Sequence, residues 1–459
     1  MWEAIRANRR KSVFVIVLMA SLLVVLGYVI GLAVGGPKAP EAALIGVGVA
    51  VLIWVILCLT AFAGGDAIML ATAGARRVEK KDMPRLYNVV EEMTISAGLP
   101  RPPEVYIIDS DAPNAFAVGK PERAAVAVTT GLLSRLSRDE LQGVIAHEIG
   151  HINNFDCRFM VLAGVMVGAI VLLSDMFLRG LYYGGFGGRG RRSRDGNQLQ
   201  AILMIAAIVM AILAPIFAHL LYLACSRKRE YLADATSARL TRYPEGLASA
   251  LEKIAGRVSG QKKVNRVIAP MYIVNPLAAR GASASALWST HPPTEQRVKV
   301  LRSMAGGASY AQYEAAYSKV SKGASVLGAS ALTDETEVAL REPSAEAEPP
   351  AAARRREAKD AIHRLDGYRF AQCACGTRIK VPPVFKGQSL KCPSCGRLAT
   401  IAAAGADPAA SETVRVRPQG GNGWRSVACP CGNTIPLSPS FSARHVRCRK
   451  CRRRLEVEK

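Results

Sequence analysis

Gly143-Val144-Ile145-Ala146-His147-Glu148-Ile149-Gly150-His151 contains the pattern H-E-x-x-H. On a helix, residues four apart stand one turn above each other on the same face, so His147 and His151 can grip one metal ion from one side. Glu148 follows the first histidine, which lets its carboxylate reach a water bound to that metal. Two imidazole ligands, a neighbouring general base and an open coordination position are what a zinc peptidase needs. The pattern is short and arises by chance on amphipathic helices, so its surroundings decide what it means.

Upstream, Ser137 and Glu140 form a plausible capping box where that helix begins. Before it, Asp82 to Ala97 has helical periodicity and ends at Gly98-Leu99-Pro100. Glu104 to Asp109 and Ala124 to Thr130 read as strands, with a short extended piece at Ala115 to Gly119. The helix thus closes an α/β unit.

Long uncharged runs flank this unit. Val13 to Gly36 and Ala42 to Gly65 form one apolar pair; Phe159 to Leu178 and Leu199 to Cys225 form another. Each is long enough to cross a bilayer, so they read as two transmembrane hairpins. The formal net charge of +24 would suggest nucleic acid in a soluble chain; here 50% hydrophobic residues, bunched into runs, point to a membrane protein with basic flanks. Arg6, Arg9, Arg10 and Lys11, then Arg76, Arg77, Lys80 and Lys81, then Arg227 to Arg229 place the outer ends in the cytoplasm. The Gly/Arg-rich loop from Gly180 to Asn197 conflicts with this rule, since Arg189, Arg191, Arg192 and Arg194 would lie on the other side.

Catalytic zinc in such a site usually takes a third protein ligand. Glu230 is a candidate, on a helix after the second hairpin. Asp234, one turn on, can accept a hydrogen bond from the non-ligating nitrogen of a zinc histidine. With these residues the chain resembles the HtpX-like membrane zinc metallopeptidases, relatives of the CAAX prenyl protease. The resemblance rests on Asn114 to Gly119, His147-Glu148-x-x-His151, Glu230-Tyr231-x-Ala233-Asp234 and His291-Pro292-Pro293-Thr294-x-x-Arg297, and covers roughly residues 1–305. The chain departs at Val118, where the family often has a smaller polar residue, and at Ser237, where glycine is common. The resemblance implies that His147, His151 and Glu230 bind zinc and that Glu148 is general base and acid. It also implies that Asn114 lies on the strand that holds the substrate backbone, and that His291 and Arg297 lie near the site, stabilising the oxyanion or Glu230.

The last hundred residues hold a repeat. Cys373-x-Cys375 is followed by Cys392-x-x-Cys395, and Cys429-x-Cys431 by Cys448-x-x-Cys451, with the same internal spacing. Each half supplies four thiolates, enough for a closed tetrahedral zinc site in a reducing compartment. Residues 361–459 carry 18 Lys/Arg against 5 Asp/Glu, a formal +13. Aromatic interleaving is sparse, which argues against a nucleic-acid surface and leaves a protein partner or the membrane surface for the ribbons.

The expected fold is mainly α: a polytopic membrane protein with a zincin-type α/β catalytic domain and two small zinc ribbons. The expected boundaries are a transmembrane hairpin over 1–65, a metallopeptidase domain over 66–328 with the second hairpin at about 159–225, a disordered linker over 329–365, a ribbon over 366–400, a linker over 401–424 and a ribbon over 425–459. The function read from this is a zinc-dependent endopeptidase of the inner (cytoplasmic) membrane, cleaving membrane or misfolded proteins at the cytoplasmic face, its C-terminus also cytoplasmic. It would carry one catalytic and two structural zinc ions. Alternatives are a dedicated processing protease for one substrate, or a membrane-anchored adaptor whose ribbons recruit a partner.

Overall fold

The computed structural model describes residues 2–36, 39–183, 197–258, 273, 291–304, 306–327, 332, 338–345, 347–401, 414–416, 425–429, 434–438, 445–447 and 454–457. Most of the Gly/Arg-rich loop, residues 184–196, lies outside them, as do Cys431, Cys448 and Cys451. The chain divides into two compact units, Met1–Ile362 and His363–Lys459.

Four helices of the first unit are long and apolar enough to cross a membrane: α1 (Trp2–Gly35), α2 (Glu41–Thr72), α6 (Asp156–Tyr182) and α7 (Asn197–Thr241). Their outward faces show Phe14, Leu44, Ile45, Leu59, Ile205 and Phe217, a ring of large apolar side chains that only lipid accommodates without cost. Lipid tails are as apolar as leucine, so these helices associate by close packing. On α7, Ala207, Ala211, Ala214 and Ala218 are fully buried against Met19, Leu23 and Leu26 of α1 and Met166, Ile170 and Phe177 of α6. Between α1 and α2 the backbones nearly touch: a Cβ on Gly46 would come 2.1 Å from the Gly27 carbonyl oxygen.

Between the hairpins sits a small sheet of β1 (Arg76–Arg77), β2 (Glu104–Ile108), β4 (Arg123–Thr129) and β3 (Ala115–Lys120), in the order β1-β2-β4-β3. β2 and β4 run parallel; β3 pairs antiparallel with β4 and forms one edge. Helix α3 (Pro84–Ala97) precedes the sheet, and the short α4 (Thr130–Arg135) leads to α5 (Arg138–Asn153). α5 carries the H-E-x-x-H, and both halves of the Ser137–Glu140 capping box are present. Ser249 and Lys253 of α8 (Pro244–Val258) hold the Glu140 carboxylate from the other side. The first unit also contains α9 (Thr294–Arg302) and α10 (Tyr310–Val320).

Two expectations are corrected. The fourth apolar run and the following helix are one continuous 45-residue helix, α7, which passes through Pro215 and carries Glu230. Neighbouring helices in a bundle supply the packing that lets a helix survive an internal proline. The expected disordered linker over 329–365 contains ordered structure in its second half. Residues 351–365 form helix α11 (Ala351–Leu365), because alanine, arginine, glutamate and lysine are strong helix formers and Pro349-Pro350 fits a helix start. Just before it, residues 338–345 bind back onto the catalytic unit. Arg341 donates to Asp139 Oδ1 at 2.7 Å, to Gln142 Oε1 at 2.8 Å and to the Thr241 carbonyl at 2.9 Å. The Ser344 amide donates to Asp139 Oδ2 at 2.8 Å. Arg341 therefore ties the start of α5 to the end of α7, and a Glu/Pro/Arg composition alone does not reveal that its partners exist.

In the second unit, β5 (Arg369–Gln372) pairs with β6 (Arg378–Val381), and β7 (Ser389–Lys391) with β8 (Leu398–Thr400). Cys373 and Cys375 sit in the first turn, Cys392 and Cys395 in the second. The repeat recurs as β10 (Arg425–Ala428) with β11 (Thr434–Leu437), and β12 (His445–Arg447) with β13 (Arg454–Val457); β9 (Val414–Val416) adds a parallel strand to β13.

Candidate active site

Helix α5 presents His147 and His151 to α7 one turn apart. The two helices approach closely because position 150 is glycine: a Cβ there would meet the Thr236 side chain at 3.2 Å. Ser237 donates to the Gly143 carbonyl at 2.7 Å, so the serine at this position ties α7 to α5. The approach puts Glu230 opposite the two imidazoles. His147 Nε2 and His151 Nε2 stand 3.1 Å apart, and they lie 3.6 Å and 3.4 Å from the Glu230 carboxylate oxygens. Donors at the usual zinc distance of about 2.0–2.1 Å on a tetrahedron stand about 3.3–3.4 Å from one another. The three groups therefore fit one tetrahedral metal with a fourth position left over.

Each imidazole is held by a carboxylate on its other nitrogen. His147 Nδ1 is 3.0 Å from Asp234 Oδ1, and His151 Nδ1 is 3.0 Å from Asp156 Oδ2. A proton on Nδ1 donated to these acids leaves both Nε2 lone pairs free for a metal. Burial alone would depress both imidazole pKa values; hydrogen bonds to the carboxylates outweigh it and raise them, His151 more strongly. The positive charge that these acids favour is what a divalent cation supplies in place of protons.

Around this core lies a buried ion network. Arg297 is 1% exposed and donates to Asp234 through Nε at 2.8 Å and Nη2 at 2.6 Å. Its Nη1 reaches Glu230 at 3.4 Å, and these carboxylates hold the guanidinium above its ordinary range against the opposing effect of burial. His291 Nδ1 lies 2.8 Å from Glu230 Oε2. Glu148, 2% exposed, faces a cavity of about 40 Å³ that it lines with His151, Glu230, His291 and Ala117. That volume has room for a water or two. Burial, with the Glu230 charge adding to it and the imidazoles opposing it, raises the Glu148 pKa.

The structure thus brings His147, Glu148, His151, Glu230, Asp234, His291 and Arg297 into one site. Asn114 is not among the residues that line the cavity. It is 3% exposed at the entry to β3, and its side-chain oxygen accepts from the Ala115 amide at 3.1 Å. The residue of β3 that lines the cavity is Ala117.

Two contributors escape sequence reasoning. Asp156 follows a break in which Phe155 adopts φ +61°, a turn that folds α6 back beneath His151. No helical period links positions 151 and 156 across that break. Arg229 reads as part of a basic flank, yet it is buried, pairs with Asp156 and Ser12, and stacks on Phe159 at 3.7 Å.

In the second unit, Cys373 Sγ lies 3.5 Å from Cys395 Sγ, and Cys375 Sγ 3.7 Å from Cys392 Sγ. Thiolates at about 2.3 Å from a tetrahedral zinc stand about 3.8 Å apart. The four sulfurs fit such a site, and hydrogen bonds to Thr377 draw the Cys375 thiol down to about 6. In the second half of the repeat Cys429 is buried.

Fold and site together define a membrane metallopeptidase of zincin type. The model of peptidase family M48 matches residues 80–305. A protease HtpX homolog of Dictyoglomus turgidum is 46% identical over 304 residues, covering 66% of this chain and 94% of that protein. Others, from Streptococcus gordonii (39% identical) and Listeria monocytogenes (40% identical), are each covered over their whole length by 66% of this chain. The crystal structure of S. mikatae Ste24p aligns with 66% of this chain and 67% of that one, at a TM-score of 0.39 and 19% identity. The chain belongs to peptidase family M48, and is an HtpX-like zinc metalloprotease of a membrane acting on protein substrates. These relatives match about two thirds of the chain; the cysteine-rich repeat is additional.

Proposed function

We propose that the protein is an endopeptidase of the cytoplasmic membrane that cleaves membrane or misfolded proteins at the cytoplasmic face. The observation that carries this reading is the near-tetrahedral spacing of His147, His151 and Glu230 beside a cavity lined by Glu148. Basic clusters where α1 begins, after α2 and near Arg227 support the cytoplasmic placement.

In this reading His147, His151 and Glu230 hold one zinc ion, and Cys373, Cys375, Cys392 and Cys395 hold a structural one. Cys429, Cys431, Cys448 and Cys451 hold a second structural ion. Catalytic zinc, when bound, supplies Lewis acidity that lowers the pKa of water and polarises a carbonyl. Glu148 takes the proton of the attacking water and passes it to the leaving amine. Its raised pKa makes the carboxylate a stronger base for the first step and brings it nearer the working pH for the return of the proton. Asp234 and Asp156 hold the two imidazoles in the ligating tautomer. His291 uses Nδ1 to fix Glu230 and offers its other nitrogen to the developing oxyanion. An extended substrate lies along β3 at Ala117, with Asn114 fixing the start of that strand. Pairing through backbone groups gives broad sequence tolerance.

The pH profile tests this reading. Glu148 works as base only when ionised, and its folded pKa is raised; cleavage therefore falls as pH drops through a value above the ordinary glutamate range. The raised imidazole values act in the same direction, because protons compete with metal. A chelator should abolish cleavage and added zinc restore it. Full activity in chelator, or an acid limb in the ordinary glutamate range, contradicts the assignment.

A further inference from the structure

Beside the active-site cavity, where Asp66 ends the uncharged run of α2, lies a second hollow of about 330 Å³. Lys120 and Arg123, flanking the β3–β4 turn, and Arg158 near the start of α6 line it. Asp66 of α2 is the one carboxylate among its lining residues, and Arg123 and Arg158 both act on it. Lys120 has a further neighbour in Glu122, at 3.6 Å on the exposed side. The hollow is therefore cationic, with three positive groups against one negative.

The same hollow runs on into an apolar groove of about 450 Å³ between α2 and α6, with Ala61, Gly65 and Val161 common to both. Leu57, Ile68, Met69 and Met160 wall the groove. Gly164 and Gly168 keep its α6 side open: a Cβ at either would meet nothing within 4 Å. A charged head region joined to an apolar trough along two membrane-spanning helices is complementary to an anionic amphiphile. A transmembrane helix of a substrate fits less well. If this face is cytoplasmic, such a helix brings its own lysines and arginines to the same level, where they meet three cations.

We propose that this cleft binds one anionic phospholipid, with its phosphate on Lys120, Arg123 and Arg158 and an acyl chain in the groove between α2 and α6. Cys157 lines both the hollow and the active-site cavity, so the bound lipid lies next to Asp156 and its partner His151.

Native mass spectrometry of the full-length protein from mixed micelles tests the site. Phosphatidylglycerol should be retained in preference to phosphatidylcholine. The double variant Arg123→Gln/Arg158→Gln should bind phosphatidylglycerol about 30-fold more weakly, the effect of two membrane-surface cations. Arg123→Lys/Arg158→Lys keeps both charges and should stay within a few-fold of wild type. An unchanged melting temperature of the glutamine variant excludes a folding defect; if it melts early, the lysine variant and the lipid preference of wild type decide. Equal retention of the two lipids, or wild-type binding by a folded glutamine variant, overturns the proposal. So does displacement of the lipid by glycerol phosphate at equal concentration, which would mark a site for a soluble anion. A photo-crosslinker at position 164 should label lipid; labelling of substrate protein instead would assign the groove to a peptide.

Discussion

Glu148→Gln should abolish cleavage, with a loss of about 10³-fold or more, because in the proposed mechanism one side chain serves as base in the first step and acid in the second. The substitution is nearly isosteric. Glutamine fills the same buried position on α5 without a titratable proton. Glu148 is not among the three groups that fit a metal, so zinc content should match wild type. Cleavage of an unfolded membrane protein by wild type and variant, measured side by side with metal content, separates the roles. A variant that still cleaves at a tenth of the wild-type rate would remove Glu148 from the chemistry.

Asp234→Asn has the second large effect, and it is a double one. Asp234 is fully buried and touches both His147 Nδ1 and Arg297. Asparagine keeps the shape but loses the charge, leaving the Arg297 guanidinium with Glu230 at 3.4 Å as its remaining carboxylate among the described contacts. Removing one partner of a buried ion pair costs about 3–5 kcal/mol. The asparagine amide can also donate to His147 Nδ1, which moves the imidazole proton to Nε2 and takes that nitrogen from the metal. Loss of such a supporting group lowers metal affinity by about 10–100-fold. Thermal unfolding and zinc competition with a calibrated chelator read the two effects separately. Wild-type zinc affinity in the variant would show that Asp234 does not set the tautomer.

Much of this site is legible from spacing alone. A four-residue step on a helix fixes the relation of His147 to His151, and the next four-residue step, on α7, relates Glu230 to Asp234. The four apolar runs likewise read directly, because a bilayer imposes length and composition on any helix that crosses it. What escaped is what depends on the chain turning back. Asp156 reaches His151 through the left-handed Phe155, and Arg229 is buried only because α1 and α6 close over it. Arg341 lies some two hundred residues from Asp139 in a segment whose composition reads as linker, and no local pattern announces such a contact. Asn114 precedes β3, and its side-chain oxygen accepts from the Ala115 amide, while Ala117 meets the cavity; motif position alone does not distinguish the two.

In the proposed site His147, His151 and Glu230, drawn from two helices, hold one metal ion separate from the cysteine sites. Zinc content per full-length chain, measured for Glu230→Ala and wild type after dialysis against a weak chelator, tests it most directly. The variant should carry one zinc ion fewer per chain, with the thiolate-bound zinc undisturbed. An identical zinc count in the two proteins would contradict it.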